Sequence, residues 1–456
     1  MIQASRIRTL GARPERDGGA YVLYWMQHSQ RATFNPALEL AIERANALGL
    51  PVLVAFALYA VPRGTVRAYA FMLQGLADAG RGLAARGVGF VTRLGDPAQV
   101  IGELARDAAL VICDHGYLHR PRGQRERLAD DLDCEFIEVE GDVVVPVGTA
   151  SPKHEYAART LRPKLHRLWE DYLTPLAPRP VRRPWRGATL GGGVDLAQPA
   201  AILRRLGLDS AVCPVRRFTG GEGAARARLA AFLDDGLARY ADDRSRPEAH
   251  AVSELSPYLH FGQISPVEVA LAARAAKVAS PQRAAFLEEL IVRRELAFNH
   301  VTYEPAYDRY EGLPGWARLA LARAADDPRP HRYDPEALEG SRTHDRYWNA
   351  AMREMTATGY MHNRLRMYWG KKILQWSATP QAAFETTLRL NNRWFLDGRD
   401  PNSFTNVGWL FGLHDRPWAP QPVFGTVRSM GPNTLKKFDA EAYVADVERI
   451  ARDEAV

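Results

Sequence analysis

Five short apolar runs, separated by longer stretches rich in Ala, Leu and Arg, dominate the sequence between about residues 20 and 145. The runs lie at 21–25, 51–58, 88–91, 110–113 and 135–139. Such runs are typical of strands buried inside a parallel sheet. The intervening stretches are long enough for helices that cross from one strand to the next. The pattern therefore predicts an α/β domain with a doubly wound parallel sheet.

The pattern changes after about residue 150. The stretch from Pro175 to Gly193 is dense in Pro, Arg and Gly, which is typical of a linker. From residue 222 onward the apolar spacing is helical and is broken by Pro and Gly turns. The predicted helices include 222–240, 266–276, 281–300, 343–358 and 361–376. We therefore expect an α/β domain over 1–150, a linker over 151–205 and an all-helical domain over 206–456.

Composition excludes several classes of protein. No run approaches the ~20 apolar residues of a membrane-spanning helix, and the N-terminal residues lack the apolar core of a signal peptide. The three cysteines, Cys113, Cys134 and Cys213, are too far apart for a metal-ligand motif, so we expect a reducing cytoplasm. A net charge of +7 permits a polyanionic partner such as nucleic acid. No G-x-G-x-x-G or P-loop motif follows the first strand.

Tryptophan is concentrated in the helical part, where seven of the ten Trp residues lie from Trp316 onward. Trp369 and Trp376 are seven residues apart, which places them on one face of a helix about 10 Å apart along its axis. By itself this spacing favours an aromatic core stripe, although the Trp ring is also redox-active.

Several polar segments of the helical part are candidates for a binding site, and each also has an ordinary structural interpretation. The 252–258 segment offers hydroxyl and N–H groups before a helix, which suits a phosphate or a simple N-cap. Glu289 and Arg293 are four residues apart, which favours an ion pair within one helix. His344 has no third ligand at useful spacing, so we interpret 343–345 as a helix cap and predict no metal site.

In chain order, these segments resemble the photolyase/cryptochrome superfamily, most closely the class II cyclobutane pyrimidine dimer (CPD) photolyases. The matching segments are SELSPYLHFGQIS, FLEELIVRRELAFNH, THDRYWNAAMREM, TGYMHNRLRMYWGKKILQW, LNNRWFLDGRDPNSF and PVFGTVRSM. MHNRLRM is similar across the superfamily, whereas THDRYWNAA, RMYWGKKILQW and LDGRDPN point to class II. The resemblance covers essentially the whole chain.

The resemblance implies a helical domain that binds FAD in its reduced form. Arg366 and Asp397 would face each other beside the flavin ring, and Asn391 would lie near flavin N5. The implied FAD-binding residues are Tyr240, Arg244, Ser253, Leu255, Ser256, Arg366, Asn391, Asp397 and Asn402. A second, antenna chromophore is left open by the sequence, and a deazaflavin is the family-based expectation.

The resemblance also implies light-dependent repair of UV-damaged double-stranded DNA, in which the lesion is flipped out of the duplex and split by electron transfer. Glu289 would hydrogen-bond the lesion, and the other lesion- or DNA-binding residues would be Asn363, Met367, Trp409 and Arg428. Electrons would reach the flavin through Trp369, Trp348 and a surface-near Trp376. We expect a monomer that is cytoplasmic and associates with the nucleoid.

The alternative is a cryptochrome-like photoreceptor that has the same cofactor but no repair activity. Signalling members often carry a long C-terminal tail, and the short sequence after the last helical segment favours the repair enzyme.

Overall fold

The computed structural model describes residues 2–187 and 191–455, so Ala188, Thr189 and Leu190 of the predicted linker lie outside the described residues. A six-stranded sheet occupies the first third of the chain, in the order β1-β6-β5-β2-β3-β4. All neighbouring strands are parallel except β1 and β6, which are antiparallel. The strands are β1 (Ile7–Leu10), β2 (Tyr21–Trp25), β3 (Val52–Leu58), β4 (Gly89–Leu94), β5 (Ala108–Asp114) and β6 (Glu135–Val139).

Helices cover both faces of this sheet and then form the rest of the molecule. They are α1 (Pro36–Leu48), α2 (Val66–Ala85), α3 (Pro97–Ala105), α4 (His119–Asp131), α5 (Val147–Ala150), α6 (Ala158–Tyr172), α7 (Pro199–Leu206), α8 (Glu222–Asp234), α9 (Tyr240–Asp243), α10 (Ser256–His260), α11 (Pro266–Ala275), α12 (Ser280–Leu287), α13 (Arg294–Tyr303), α14 (Gly315–Arg323), α15 (Pro335–Glu339), α16 (Arg346–Thr358), α17 (Asn363–Trp376), α18 (Pro380–Trp394), α19 (Pro401–Leu410) and α20 (Ala440–Ala455). A π-helical turn, Glu288–Arg293, joins α12 to α13.

The predicted fold class is confirmed, and all five predicted strands form. β2, β3 and β5 are buried along their whole length, which explains their continuous apolar sequences. The predicted sheet lacked β1, a four-residue edge strand with two exposed central residues, which has no apolar run. Asp96 caps α3 by accepting hydrogen bonds from the N–H groups of Ala98 and Gln99.

Two helices lie within the stretch expected to be a linker. Leu161 and Leu165 of α6 are buried in the core of the helical part, and Ile202 of α7 is buried against the α/β part. Pro175–Gly193 separates these helices, so the Pro- and Gly-rich signal marks only the irregular portion of the linker.

Buried arginines join the two halves of the molecule. Arg67 of α2 donates hydrogen bonds to the carbonyl oxygens of Met355, Thr356 and Trp394. Arg31 donates to the Gly262 carbonyl at 2.8 Å. Because an unpaired buried guanidinium is costly, these contacts fix how the α/β part sits on the helical part.

Candidate active site

The helical part contains a cavity of about 510 Å³ that is within the usual size range of a ligand site. Thirteen of the residues predicted to bind cofactor or substrate line it. They are Tyr240, Arg244, Ser253, Leu255, Ser256, Glu289, Asn363, Arg366, Met367, Asp397, Asn402, Trp409 and Arg428. The fold thus brings together residues that are up to 188 positions apart in the chain.

Arg366 and Asp397 form a bidentate ion pair at one wall of the cavity. The two nitrogen–oxygen distances are 3.1 and 3.0 Å. Arg366 also donates to the Met361 carbonyl at 3.0 Å and lies 3.8 Å from the ring centre of Phe395. Three contacts therefore hold the guanidinium in one orientation, and a planar bidentate pair is a rigid polar surface for a ligand.

Asn391 is not among the residues that line the cavity. It lies in the last turn of α18 and is 5% exposed. Its amide donates to the Asn392 side-chain oxygen at 3.0 Å, and that oxygen also accepts the Arg399 N–H at 3.0 Å. The Asn392 side chain thus links the Asn391 amide to the turn that follows α18.

Glu289 pairs with Arg244 across the cavity at 2.7 Å, rather than with Arg293. The prediction of an ion pair between Glu289 and Arg293 is therefore wrong. The reason is the π-helical turn: its wider spiral no longer places residues four apart directly above one another. Arg293 instead lies 3.3 Å from Glu288 and 5.5 Å from the ring centre of Trp409.

The turn at Ser253–Ser256 approaches the cavity with a strained backbone. Glu254 has a φ of 51°, in the left-handed region. Its carboxylate turns to Arg217 and Arg228, with which it forms ion pairs. α10 follows immediately, has only five residues and lacks a side-chain N-cap, so its first N–H groups are available to another acceptor.

Three tryptophans lie in the core beneath the cavity. Trp348 donates its indole N–H to the Trp369 carbonyl at 2.9 Å, and its ring centre is 5.5 Å from that of Trp376. Trp376 is itself only 2% exposed, so it does not contact solvent directly. Tyr333 and His344 cover it, with ring centres 5.3 and 5.4 Å away.

The residues expected at the lesion lie where the cavity wall reaches the surface, which we call its mouth: Asn363 is exposed, and Met367 and Trp409 are half-buried. Asn363 and Met367 lie on the first two turns of α17. His362, just before them, caps this helix by accepting the Arg364 N–H at 3.1 Å. Burial, followed by the charge of Arg366, lowers the pKa of His362 to about 4, so its imidazole is neutral at pH 7.

Sequence reasoning missed Lys371, which also lines the cavity. It lies on the buried side of α17 and donates to the Leu410 carbonyl. Burial lowers its pKa to about 7. Its position within RMYWGKKILQW gave no signal, because a lysine in a helix is normally solvated.

Two unpaired polar atoms show that the cavity suits a polar ligand. Thr405 Oγ1 and Arg364 Nε are buried in residues that line it, and neither has a hydrogen-bond partner among the described residues. A phosphate- and ribose-bearing cofactor such as FAD would supply acceptors and donors here. The residues present therefore fit the cofactor that the resemblance implies.

Comparison with known proteins agrees with this geometry. Residues 22–182 match the family model described as DNA photolyase. The deoxyribodipyrimidine photo-lyase of Methanothermobacter thermautotrophicus is 42% identical over 97% of this chain and 98% of its own length. The enzyme of that name from Oryza sativa subsp. japonica is 38% identical over 98% of this chain and 91% of its own length.

The fold is shared more widely. The crystal structure of a Synechocystis cryptochrome superposes with a TM-score of 0.74, covering 93% of this chain and 87% of that chain, at 18% identity. Within 2–187 and 191–455 no helix combines the length and hydropathy that crossing a bilayer requires. Because the identity of 42% to the Methanothermobacter photo-lyase extends over nearly the whole of both proteins, this chain belongs to the DNA photolyase family.

Proposed function

We propose that this chain is a light-dependent DNA-repair enzyme, a deoxyribodipyrimidine photo-lyase that splits CPDs in double-stranded DNA. The observation that carries the proposal is the single cavity that joins the Arg366–Asp397 pair to the residues Asn363, Met367 and Trp409 at its mouth. A cofactor can be held inside while the flipped-out pyrimidine dimer enters from outside. Full-length similarity to photo-lyases supports the same activity.

Reduced FAD, when bound and excited by light, would supply the electron that opens the cyclobutane ring and is then returned. The chain's own residues hold and surround it. Arg366 and Asp397 would contact the polar edge of the flavin ring. Arg244 and the 253–256 turn would contact the phosphates and ribose of FAD. A largely buried site excludes water and strengthens these polar contacts.

Glu289 would contact the lesion. Its side chain is 32% exposed and lies beside Arg244. A carboxyl group there can hydrogen-bond a thymine edge, while Met367 offers a polarisable apolar contact. No nucleophile is required, because electron transfer and its reversal leave no net redox change.

We further propose that the α/β part holds an antenna chromophore, for which a deazaflavin is our candidate. Asp114, at the end of β5, accepts the N–H groups of Gln27, His28 and Ser29 at 2.9 Å each. This places the 27–30 loop beyond the carboxyl end of β2, where the strand order reverses and ligands of such sheets bind. His28 Nε2 and Gln30 Oε1 are buried there without a hydrogen-bond partner among the described residues.

An absorption spectrum of the purified protein tests the antenna proposal. A band in addition to those of FAD would support it, and a spectrum of FAD alone would contradict it.

The substrate range follows from the residues at the mouth. Repair of (6-4) photoproducts requires proton transfer, and enzymes that resemble this one but mend that lesion place two histidines four apart where Asn363 and Met367 lie here. Neither side chain titrates near pH 7, and His362 is occupied as a helix cap. We therefore propose CPD repair without (6-4) repair, by a monomer acting in the cytoplasm on the nucleoid.

Two oligonucleotide duplexes, one with each lesion, test this proposal. They are illuminated with the FAD-reduced enzyme and analysed by chromatography, with dark samples as the control. We expect the CPD to disappear only in the light and the (6-4) lesion to persist. Loss of neither lesion would instead favour a cryptochrome-like photoreceptor, and comparable loss of both would overturn the assignment to CPD.

A further inference from the structure

We infer that His154, His300 and His414 form a binding site for a divalent transition-metal ion, with Zn²⁺ as the best match. The three residues come from separate parts of the fold: the loop after α5, the middle of α13 and the loop after α19. Their candidate ligand atoms all lie within 4.8 Å of one another. The inference is independent of the repair activity.

The spacing of the imidazoles is close to that of a zinc site. His300 Nδ1 and His154 Nε2 are 3.1 Å apart and share a hydrogen bond, whose proton a bound metal ion would displace. Three nitrogens bound at 2.0–2.1 Å in tetrahedral geometry lie about 3.3 Å from one another. The ring centres are 5.1, 5.6 and 6.0 Å apart, so rotation of the side chains can close the remaining gap.

The hydrogen bonds of His414 orient one nitrogen toward the other two rings. Its Nδ1 lies 2.8 Å from the Tyr156 carbonyl, which requires a proton on Nδ1 and leaves a lone pair on Nε2. That Nε2 atom is buried and has no hydrogen-bond partner among the described residues. Donation of the far nitrogen to a backbone carbonyl is the usual way in which a protein orients a histidine ligand.

The histidine cluster is largely buried and has charges of both signs nearby. His300 is 2% exposed, and its ring lies 5.1 and 5.6 Å from those of His154 and His414. Neutral imidazole is the form that binds metal. Glu304 and Glu155 lie near His154 and Arg293 lies near His414, and Glu155 is already paired with Lys164, so Glu304 is the carboxylate that would attract a dication.

A metal here would act on the cavity wall. Three protein ligands leave the fourth position of a tetrahedral ion open, as in zinc sites that bind water or substrate. His414 itself lines the cavity, and its neighbour Asp415 does too. The ion would therefore fasten the loop after α19 to α13 and add positive charge at the place where DNA is expected to enter.

Zinc titration of the FAD-containing, tag-free protein tests the site, with a chromogenic chelator as competitor. We expect one bound equivalent in the wild type, with affinity reduced by at least about 10- to 100-fold in both His154→Gln and His414→Gln, since even second-shell changes cost this much. His331→Gln is the matched control, because His331 and His344 stack 3.7 Å apart and form the other close histidine pair described. Cys213→Ser controls for the exposed thiol.

A second readout separates a metal site from a folding defect. Co²⁺ bound to the histidines should give a visible absorption band at longer wavelength than the flavin, absent in His154→Gln. Each variant's melting temperature without metal shows whether it folds, and zinc should raise that temperature only where the cluster is intact. Equal zinc binding by wild type and His154→Gln, or its loss in His331→Gln or Cys213→Ser, would overturn the inference.

Discussion

Glu288 and Glu289 are neighbours in the chain, yet they face different surroundings. Glu289 lines the cavity opposite Arg244, whereas Glu288 pairs with Arg162 at 2.7 Å outside it. The π-helical turn separates them by rotating successive side chains differently from an α-helix. The two carboxylates therefore form a matched pair for testing which one acts on the lesion.

We expect Glu289→Gln to slow light-driven CPD repair by about 10- to 100-fold. The reason is that a hydrogen bond to a charged group contributes roughly 1.5–3 kcal/mol, and each 1.36 kcal/mol changes a rate tenfold. Single-turnover repair measured after flashes of light gives this rate. Glu288→Gln should repair at close to the wild-type rate with the same flavin absorbance, and an equal loss in both variants would assign the effect to local folding.

Lys371 links the stability of the fold to pH. Burial lowers its pKa to about 7 in the native state, whereas an unfolded lysine titrates near about 10.4. Between these values the unfolded chain holds a proton that the native chain lacks, so the free energy of unfolding rises with pH by up to about 1.4 kcal/mol per unit. Below pH 7 both states hold the proton, and this pH dependence vanishes.

We therefore expect Lys371→Met to flatten the change in unfolding free energy between pH 7.5 and 9. Denaturant titrations at several pH values measure it. Lys277, which is exposed after α11, provides the control: Lys277→Met should keep the wild-type slope. A wild-type slope in Lys371→Met would mean that Lys371 remains charged in the native protein.

The resemblance predicted which residues line the cavity, whereas the sequence predicted poorly which side chains contact one another. The Arg366–Asp397 pairing was available only from the resemblance, because 31 positions separate the two residues. The partner of Glu289 could not be predicted, since the π-helical turn leaves no recognisable sequence pattern. The histidine cluster was equally invisible, because 114 positions separate His300 from His414 and spacing rules detect only local ligand motifs.

At the scale of the element, helix α17 combines cavity lining with core packing. Asn363 and Met367 lie at the cavity, while Trp369 and Trp376 are buried in the core. The aromatic-stripe interpretation of the two tryptophans therefore holds for their packing. Trp348 packs ring to ring on Trp376, which in turn contacts Tyr333, whereas Trp348 contacts Trp369 through a hydrogen bond to its backbone carbonyl.

We expect Trp369→Phe to abolish light-driven reduction of oxidised FAD while CPD repair survives when FAD is reduced chemically. The reason is that phenylalanine keeps the packing of α17 but is much harder to oxidise than indole. The loss of oxidised-flavin absorbance under light with an external reductant measures the first effect. Trp185 packs on Tyr21 in the α/β part, so the Trp185→Phe variant serves as the control, and light should reduce its FAD as in the wild type. Unchanged photoreduction in Trp369→Phe would leave the tryptophans a purely structural role.

Most predicted helices and strands agree with the structure to within a few residues, but the helix predicted over 222–240 ends at Asp234, and two further differences concern β1 and 281–300. β1 is a short, half-exposed edge strand, so no alternation or apolar run marks it. The helix predicted over 281–300 is interrupted by the π-helical turn. Neither of these two differences is marked by a local sequence pattern.

At the scale of the whole molecule, basic side chains gather beyond the cavity mouth. Arg428 lines the cavity and lies 5.0 Å from the ring centre of Trp418, and Arg416 lies 5.3 Å from the same ring. Trp418 is 40% exposed, which is unusual for so large a ring and suits contact with a partner. The net charge of +7 acts in the same direction.

We expect the affinity for CPD-containing duplex to fall steeply with salt, and Arg428→Gln to reduce the log–log slope by about 0.9, the value for one phosphate contact on duplex DNA. Dissociation constants measured between 50 and 200 mM salt give the slope. Arg205 is exposed on α7, which packs on the α/β part. Arg205→Gln removes an equal charge there and should leave the slope unchanged. Equal reductions would mean that DNA senses only the overall charge of the molecule, whereas an effect confined to Arg428 would place a phosphate beside Trp418 at the mouth of the cavity.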